Sequence, residues 1–472
     1  MLIGKSVQQA FTKLSDRASV GLFFILAGLW GLLIFYTIVP RLFGQTLPAN
    51  SNIDISLLTW AFVSLSLLGS SLWIFVQIGY LIIGNRVINK QRKVINDKSH
   101  DWSKPIVSII IPAHNEEAVI KRTISSCLSQ THKNTEVLVI CHNCTDNTYL
   151  AASQITDKRV RAFDYKTKEA GKGLALDFAV ENSAGEYVTV LDSDGTLNDD
   201  FISTALPLFG IPDIAAVQGK LLPNNRYHNI ITNLLSLEGD LYSIPYMTMK
   251  SLIDKRTSLG GTGYLIKKDI LLKVGGFKNS LIDDFELSFR LFRNKYRIVF
   301  APLSVSHDER PPELALMLRQ RSRWVKGHID LLKERIPEGS DIMGNIYWIN
   351  PILMICGLLA VLIVSFGLIY YLVFGMLPYQ FSFTPLLLWI GITVAGFFLQ
   401  LAILIKQHRL SGLNLVGPLA LSGMFSQYWY VALIKAFFVK SWSNTKTIHG
   451  YVNKKDISRF TEEHKYDRKK SG

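Results

Sequence analysis

The sequence predicts an α/β domain over residues 105–340, inserted between apolar α-helical segments. Three observations predict it. Between Val107 and Leu191, short β-branched runs alternate with stretches of helical character, the pattern of a parallel sheet covered by helices. On either side lie apolar runs long enough to cross a bilayer. The surplus positive charge gathers beside those runs: the 472 residues include 51 Lys+Arg against 37 Asp+Glu, a formal net charge of +14. Hydrophobic residues make up 49% of the chain and the mean hydropathy is +0.22, too apolar for a disordered chain. Four Cys and 33 Gly exclude a disulfide-stapled or collagen-like chain.

From the N-terminus, residues 1–83 read as a segment with two membrane helices. Val20–Pro40 is uncharged, and Ile55–Ile83 holds 29 residues without a charge. Each exceeds the roughly 20 residues that span a bilayer as a helix. The first run has too long an apolar core for a signal peptide and no clean small-residue cleavage site, so it reads as an anchor. Residues 1–19 carry Lys5, Lys13 and Arg17 against Asp16, and the linker 84–104 carries six bases and two acids. The positive-inside rule makes both flanks cytoplasmic, which puts the chain after residue 84 in the cytosol. Residues 105–405 carry 29 charges of each sign. A neutral central region argues against nucleic acid as a partner, since such proteins concentrate basic charge in the folded domain.

Three later runs, near Ile346–Leu377, Phe383–Ile405 and Leu413–Phe438, make a C-terminal membrane region, 341–439. The uncharged 377–383 loop is expected outside and the basic 406–409 loop inside. The tail 440–472 has nine bases and four acids. Charge therefore favours a cytosolic tail, with the third run re-entrant or interfacial about Pro418, Gly423 and Ser426 rather than spanning. The expectation is a multi-pass protein of the plasma membrane with its α/β domain in the cytosol. All four Cys then read as reduced. Cys141 and Cys144 form a C-x-x-C without the second pair that a zinc site needs.

Within the α/β domain, strand Val107–Ile111 is followed by a helix over Ala118–Gln130, strand Glu136–Cys141 and a helix near Asp146–Gln154. Strand Val160–Tyr165, helix Lys172–Asn182 and strand Tyr187–Leu191 complete the alternation. Ligands on such sheets sit at the carboxyl ends of the strands. After the first strand comes Pro112-Ala113-His114-Asn115-Glu116-Glu117, and after the fourth comes Asp192-Ser193-Asp194-Gly195. Two carboxylates one residue apart suit Mg²⁺ or Mn²⁺ with substrate phosphate oxygens, although such pairs also cap turns. Leu259-Gly260-Gly261-Thr262-Gly263 lets backbone approach a ligand closely. Adjacent Asp283 and Asp284 repel one another when ionised, which raises one toward the range of a general base; the alternative is a capped helix start before Leu287–Leu291. Gln320, Arg323 and Trp324 fall at helical spacing on one face, after Pro311-Pro312. Arg319, Arg321 and Lys326 are expected on a basic, membrane-facing surface of that helix.

Together these residues resemble the membrane-embedded inverting glycosyltransferases of family 2, which include the cellulose, chitin, hyaluronan and poly-N-acetylglucosamine synthases. The resemblance covers residues 105–330 by motif and implies a Rossmann-like nucleotide-sugar domain of GT-A type. It implies that Asp192 and Asp194 bind the metal, Asp192 also the donor diphosphate, and that Asp284 is the catalytic base, with Asp283 in place of the usual Glu. It implies that Gln320, Arg323 and Trp324 contact diphosphate and acceptor. Gly171-Lys172-Gly173 looks like the family's G-K-G, and Lys172 and Glu116 join the substrate-binding set. Gly260-Gly261-Thr262-Gly263 looks like the acceptor-side loop, with Gly261 at the substrate. Lys446-Thr447-Ile448-His449-Gly450, after Trp442, looks like a K-T-x-H-G flap. His142 departs from the pattern, standing where an Asp usually helps hold the uridine, while Asp146 matches a later Asp.

The implied partners are a nucleotide-sugar donor, a polysaccharide or lipid acceptor and membrane lipids. The implied chemistry is a single in-line displacement by a processive polysaccharide synthase that extrudes its β-linked product. A glycolipid synthase acting on ceramide or diacylglycerol shares the pattern, and a catalytically silent relative would keep the fold.

Overall fold

The computed structural model describes residues 56–97, 99–253, 256–335, 383–409, 412–422 and 428–439, together with 21, 370 and 373–376. Two compact units divide the chain: residues 82–331 with 440–472, and residues 1–81 with 332–439. Most of Val20–Pro40 and of Ile346–Leu377, and the tail with Lys446–Gly450, lie outside the described residues.

Helix α1, Ser56–Ile95, runs through the boundary between the units. The sheet of the larger unit then begins, and its first half follows the sequence pattern closely. β1 is Val107–Ala113, α2 Ile120–Leu128, β2 Thr135–His142, α3 Thr148–Ser153, β3 Val160–Tyr165, α4 Lys172–Glu181 and β4 Tyr187–Val190. These four strands pair in parallel in the order β3-β2-β1-β4. Period-2 alternation divides their side chains between two cores. Val107, Ile109, Ile111, Val137 and Val139 pack against Ile120, Ile124 and Cys127 of α2. Ile110, Leu138, Ile140, Val188 and Val190 pack against Ala175, Leu176 and Ala179 of α4.

The second half departs from the all-parallel expectation. β5 Thr196–Leu197, α5 Phe201–Ala205, β6 Ile214–Pro223, α6 Ile230–Glu238, a π-turn at Gly239–Ser243 and α7 Ile244–Ile253 come next. β7 Tyr264–Lys267, α8 Lys268–Lys273, α9 Asp283–Arg293, β8 Arg297–Asp308 and α10 Leu314–Arg335 complete the region. The eight-stranded sheet has the order β3-β2-β1-β4-β7-β6-β8-β5. β7 runs antiparallel to both β4 and β6, while β6 and β8 are parallel. The sheet is therefore mixed. Reversing β7 directs the chain entering it, Gly260–Gly263, toward the carboxyl end of β4, beside the Asp192 loop.

In the smaller unit, α11 is Phe383–Lys406, α12 Gly417–Ser422 and α13 Tyr428–Ala436. Lys406 Nζ donates to the carbonyls of Tyr80 and Leu81 at 2.8 and 2.9 Å, which ties α11 to α1. The described parts of Leu413–Phe438 hold most of a 3-10 turn, Gly412–Leu415, and two α-helices of six and nine residues. Among the described residues no helix is long and apolar enough to cross a membrane.

Candidate active site

The loop after β4 is held from three sides. Asp192 N–H donates to the Thr262 hydroxyl at 2.9 Å, and the Thr123 hydroxyl donates to the Ser193 carbonyl at 2.6 Å. The Arg122 guanidinium donates to the Asp194 carbonyl at 2.9 Å and pairs with buried Glu309 at 2.9 Å. Glu309 N–H closes the circuit on Asp194 Oδ2 at 3.3 Å. Asp194 is buried by this network, whereas the Asp192 side chain keeps 37% of its surface open.

Lys172 brings distant segments together. It opens α4 just after Gly171. Its Nζ lies 2.6 Å from Asp192 Oδ1 and 4.0 Å from Asp283 Oδ2, and donates to the Gly261 carbonyl at 2.8 Å. The segment is seated tightly: a Cβ added at Gly173 would lie 2.3 Å from the Lys278 carbonyl. Only glycine allows α4 to approach the loop before α9 so closely.

Asp283 and Asp284 occupy the first turn of α9, and Ile282 before them makes no side-chain cap. They are therefore not the capping residues that the alternative reading allowed. The turn's position is fixed from below. The Glu286 carboxylate grips Arg290, which donates to the Val274 and Gly276 carbonyls at 2.5 and 2.8 Å. Asp177 of α4 accepts Phe277 N–H at 2.6 Å. Opposite Asp284 stands Gly261, with φ +82°, where a Cβ would lie 3.4 Å from Asp284 Oδ2. Gln218 of β6 aligns that loop by accepting Gly260 N–H at 2.8 Å and donating to the Thr262 and Gly263 carbonyls at 3.1 and 3.2 Å.

Helix α10 adds Arg323, which donates to the Leu281 carbonyl at 2.7 Å and lies in the field of Asp283, Asp284 and Asp192. The His328 ring packs tilted against Phe285, 4.6 Å between centroids. Gln320 and Trp324 are half-buried on the same helix. The membrane-facing expectation fails for Arg321. It is buried, pairs with Glu238 at 2.5 Å and lies 4.2 Å over the Trp324 ring. Lys326 pairs within its own helix with Asp330.

Glu116 stands on the loop after β1 and is buried. Its N–H donates to the Thr148 hydroxyl at 2.8 Å, within interlocked loops after β1, β2 and β3. There Asn115, with φ +58°, accepts Thr145 N–H at 2.7 Å. His142 is buried, with Nδ1 3.1 Å from the Gly171 carbonyl and Nε2 2.6 Å from the Thr167 hydroxyl. Both ring nitrogens are thus engaged by the protein, so His142 ties the β2 end to the Gly171 segment. Burial lowers its proton affinity. Cys127, Cys141 and Cys144 are free thiols.

Electrostatics follow from the burial of so many charges. Burial and the neighbouring Asp283 charge push Asp284 up to about 7, against the pull of Lys172 and Arg323. Burial also raises Asp192, with Lys172 opposing and Asp194 adding to the rise. For Lys172, burial favours the neutral amine, but Asp192 and Asp283 outweigh it and hold the ammonium well above its ordinary range. Asp192 and Asp194 suit a hard divalent cation: two mutually repelling carboxylates, one open to ligand, match an ion that completes its shell with phosphate oxygens. Among the described residues no group of three or more His, Cys, Asp or Glu forms a self-sufficient metal site.

Arg122, Asp177, Gln218, Arg290 and Glu309 position the site and were not singled out from sequence. Only Gln218 left a local signal, as a polar residue in the apolar strand Ile214-Ala215-Ala216-Val217. The others act through partners up to 187 residues away.

Residues 105–327 match the family model described as glycosyltransferase like family 2. A probable glycosyltransferase of Bacillus subtilis is 28% identical over 232 residues, 48% of this chain and 55% of its own length. A poly-beta-1,6-N-acetyl-D-glucosamine synthase of Staphylococcus epidermidis is 29% identical over 279 residues, 56% of this chain and 64% of its own. A beta-monoglucosyldiacylglycerol synthase of a Nostoc species is 28% identical over 236 residues, 49% of this chain and 50% of its own. The chain thus spans about half to two thirds of the length of these curated relatives. A solved mannosyltransferase from Pyrobaculum calidifontis, in complex with GDP-Man and Mn²⁺, covers 80% of this chain and 99% of its own, with TM-score 0.53 and 17% identity. That likeness shows the GT-A-like α/β fold.

Proposed function

We propose, from a glycosyltransferase family 2 domain at residues 105–327, that the chain transfers a sugar from a nucleotide-sugar, a UDP-sugar first among the candidates, to a growing β-linked polysaccharide. The observation that carries the reading is the meeting at Lys172: one ammonium bridges Asp192 and Asp283, which are 91 residues apart, next to an Asp284 raised to about 7. Asp284 takes the proton from the acceptor hydroxyl, since a base works best with a proton affinity near the working pH. Lys172 and Arg323 offer fixed positive charge to the departing diphosphate. Gly261 leaves room for the acceptor beside the base. A bound Mg²⁺ or Mn²⁺, held by Asp192 and Asp194, supplies further positive charge to the leaving group. Gln320 and Trp324 line the acceptor side of α10, and Glu116 contributes on the nucleotide side. Attack opposite the leaving group inverts the anomeric centre.

The uncharged runs and basic flanks support a multi-pass plasma-membrane protein whose helices guide the product outward. A glycolipid synthase is the second reading, favoured by the beta-monoglucosyldiacylglycerol synthase among the relatives. The test is nucleoside diphosphate release with Mn²⁺ across UDP- and GDP-sugars, with the product weighed by mass spectrometry. The expected product is a polymer ladder, made by the wild type and lost in Asp284→Asn. A single-sugar lipid moves the reading to the second class, and full turnover by Asp284→Asn removes the base assignment.

A further inference from the structure

Asp192 and Asp194 lie one residue apart in contrasting surroundings. Asp194 is buried, and its Oδ2 accepts Glu309 N–H at 3.3 Å. Asp192 keeps 37% of its side chain open, and its Oδ1 lies 2.6 Å from Lys172 Nζ. The carboxylate more open to a ligand is therefore the one that already carries a positive charge. That ammonium is tethered on its other sides as well. It donates to the Gly261 carbonyl at 2.8 Å and lies 4.0 Å from Asp283 Oδ2. The backbone beneath it has little room to recede. A Cβ added at Gly171 would lie 1.7 Å from Asn279 Oδ1, and one at Gly173 would lie 2.3 Å from the Lys278 carbonyl. His142 Nδ1 sits 3.1 Å from the Gly171 carbonyl. The flexible four-carbon stem, by contrast, lets the ammonium pivot about that fixed base. A divalent cation held by Asp192 and Asp194 has to share Asp192 with this charge, and two cations on one carboxylate repel strongly away from bulk water. Diphosphate oxygens offer the ammonium a second anionic partner.

We propose that Lys172 couples the metal site to the nucleotide: its ammonium holds Asp192 Oδ1 against a divalent cation and yields that oxygen when a nucleoside diphosphate draws it away. The inference deepens the proposed sugar transfer and rests on its assignment of Asp192 and Asp194 to the cation. A divalent cation alone then binds weakly, and cation and nucleoside diphosphate each tighten the other by the same factor. A neutral residue at position 172 removes the competitor, so the cation binds without help and less of the coupling remains.

Titration of the purified full chain with Mn²⁺, reading free Mn²⁺ by electron paramagnetic resonance, tests this without turnover. The double variant Asp192→Asn, Asp194→Asn is the blank, which subtracts Mn²⁺ held by nucleotide in solution or elsewhere on the chain. Without nucleotide, Lys172→Gln and Lys172→Met are expected to bind Mn²⁺ about tenfold more tightly than the wild type. UDP or GDP is expected to tighten Mn²⁺ binding to the wild type by about tenfold or more, and to the variants by much less. Variants that bind Mn²⁺ no more tightly than the wild type overturn the proposal. So does a wild-type affinity that neither nucleotide changes, a result that needs no variant to fold. No Mn²⁺ bound above the blank, with or without nucleotide, overturns the metal assignment and the coupling together. If the coupling is found and no UDP- or GDP-sugar is turned over, the proposed sugar transfer fails while the coupling stands. If sugar is transferred and the variants bind Mn²⁺ as the wild type does, only the coupling is refuted.

Discussion

Asp284, the proposed base, shows how surroundings raise the proton affinity of an ordinary carboxyl group. Its burial and then its neighbour Asp283 both favour the protonated form, and together they outweigh Lys172 and Arg323. Two outcomes belong to this scale. Turnover should fall as the pH drops below about 7, because the carboxylate that accepts the proton is then occupied. The acid limb of kcat/KM against pH reads this directly. Stability should respond with the opposite sense. A carboxyl raised in the folded state contributes stability that is fully present below its unfolded value of 3.8 and is lost as the pH rises through about 7. Asp284→Asn should therefore raise the thermal midpoint at pH 8 and leave it near the wild-type value at pH 3.5, as a scan at both pH values would show.

At the scale of elements, the site depends on how closely α4, α9 and α10 meet. At Gly173 the first turn of α4 meets the backbone of the loop before α9, with the Lys278 carbonyl 2.3 Å from where a Cβ would stand. Gly173→Ala should push α4 from the loop before α9, displacing Lys172 from Asp283. A loss in kcat/KM of about 10²-fold is expected, since misplacement by roughly 1 Å can cost that much, with the circular dichroism spectrum retained. α10 is locked differently. Arg321 sits between Glu238 and the Trp324 ring, so Arg321→Ala removes the buried ion pair to Glu238 and loosens the indole. Chemical denaturation should show a loss of about 3–5 kcal/mol, the range for breaking one side of a buried pair. A surface arginine would cost much less.

For the whole molecule, the proposed multi-pass topology can be checked. A membrane-impermeant maleimide on intact cells should label Tyr379→Cys in the 377–383 loop. Gln407→Cys and Lys470→Cys should label only after permeabilisation, because basic segments stay on the cytoplasmic side. Labelling of Lys470→Cys in intact cells would make Leu413–Phe438 a full crossing and would set the tail's surplus of five bases over acids outside.

Composition and period were enough to read the first half of the sheet. The strands from Val107 to Tyr187 and the three helices between them sit within a few residues of where alternation placed them, because a strand buried on both faces and a helix covering it leave different periods in the sequence. The charged residues of the candidate site were legible wherever they lay in a short motif: Asp192 and Asp194, Asp283 and Asp284, Arg323. What local sequence does not hold is the partner across space. That β7 runs against its neighbours, that Lys172 meets Asp192 and Asp283, that Arg321 turns inward to Glu238, and that Gln218 and Glu309 hold the loops became visible only in the folded chain. Short-range period encodes which face a residue presents; which distant residue it then meets is decided by strand order and by the neutralisation of buried charge, and both are properties of the assembled fold.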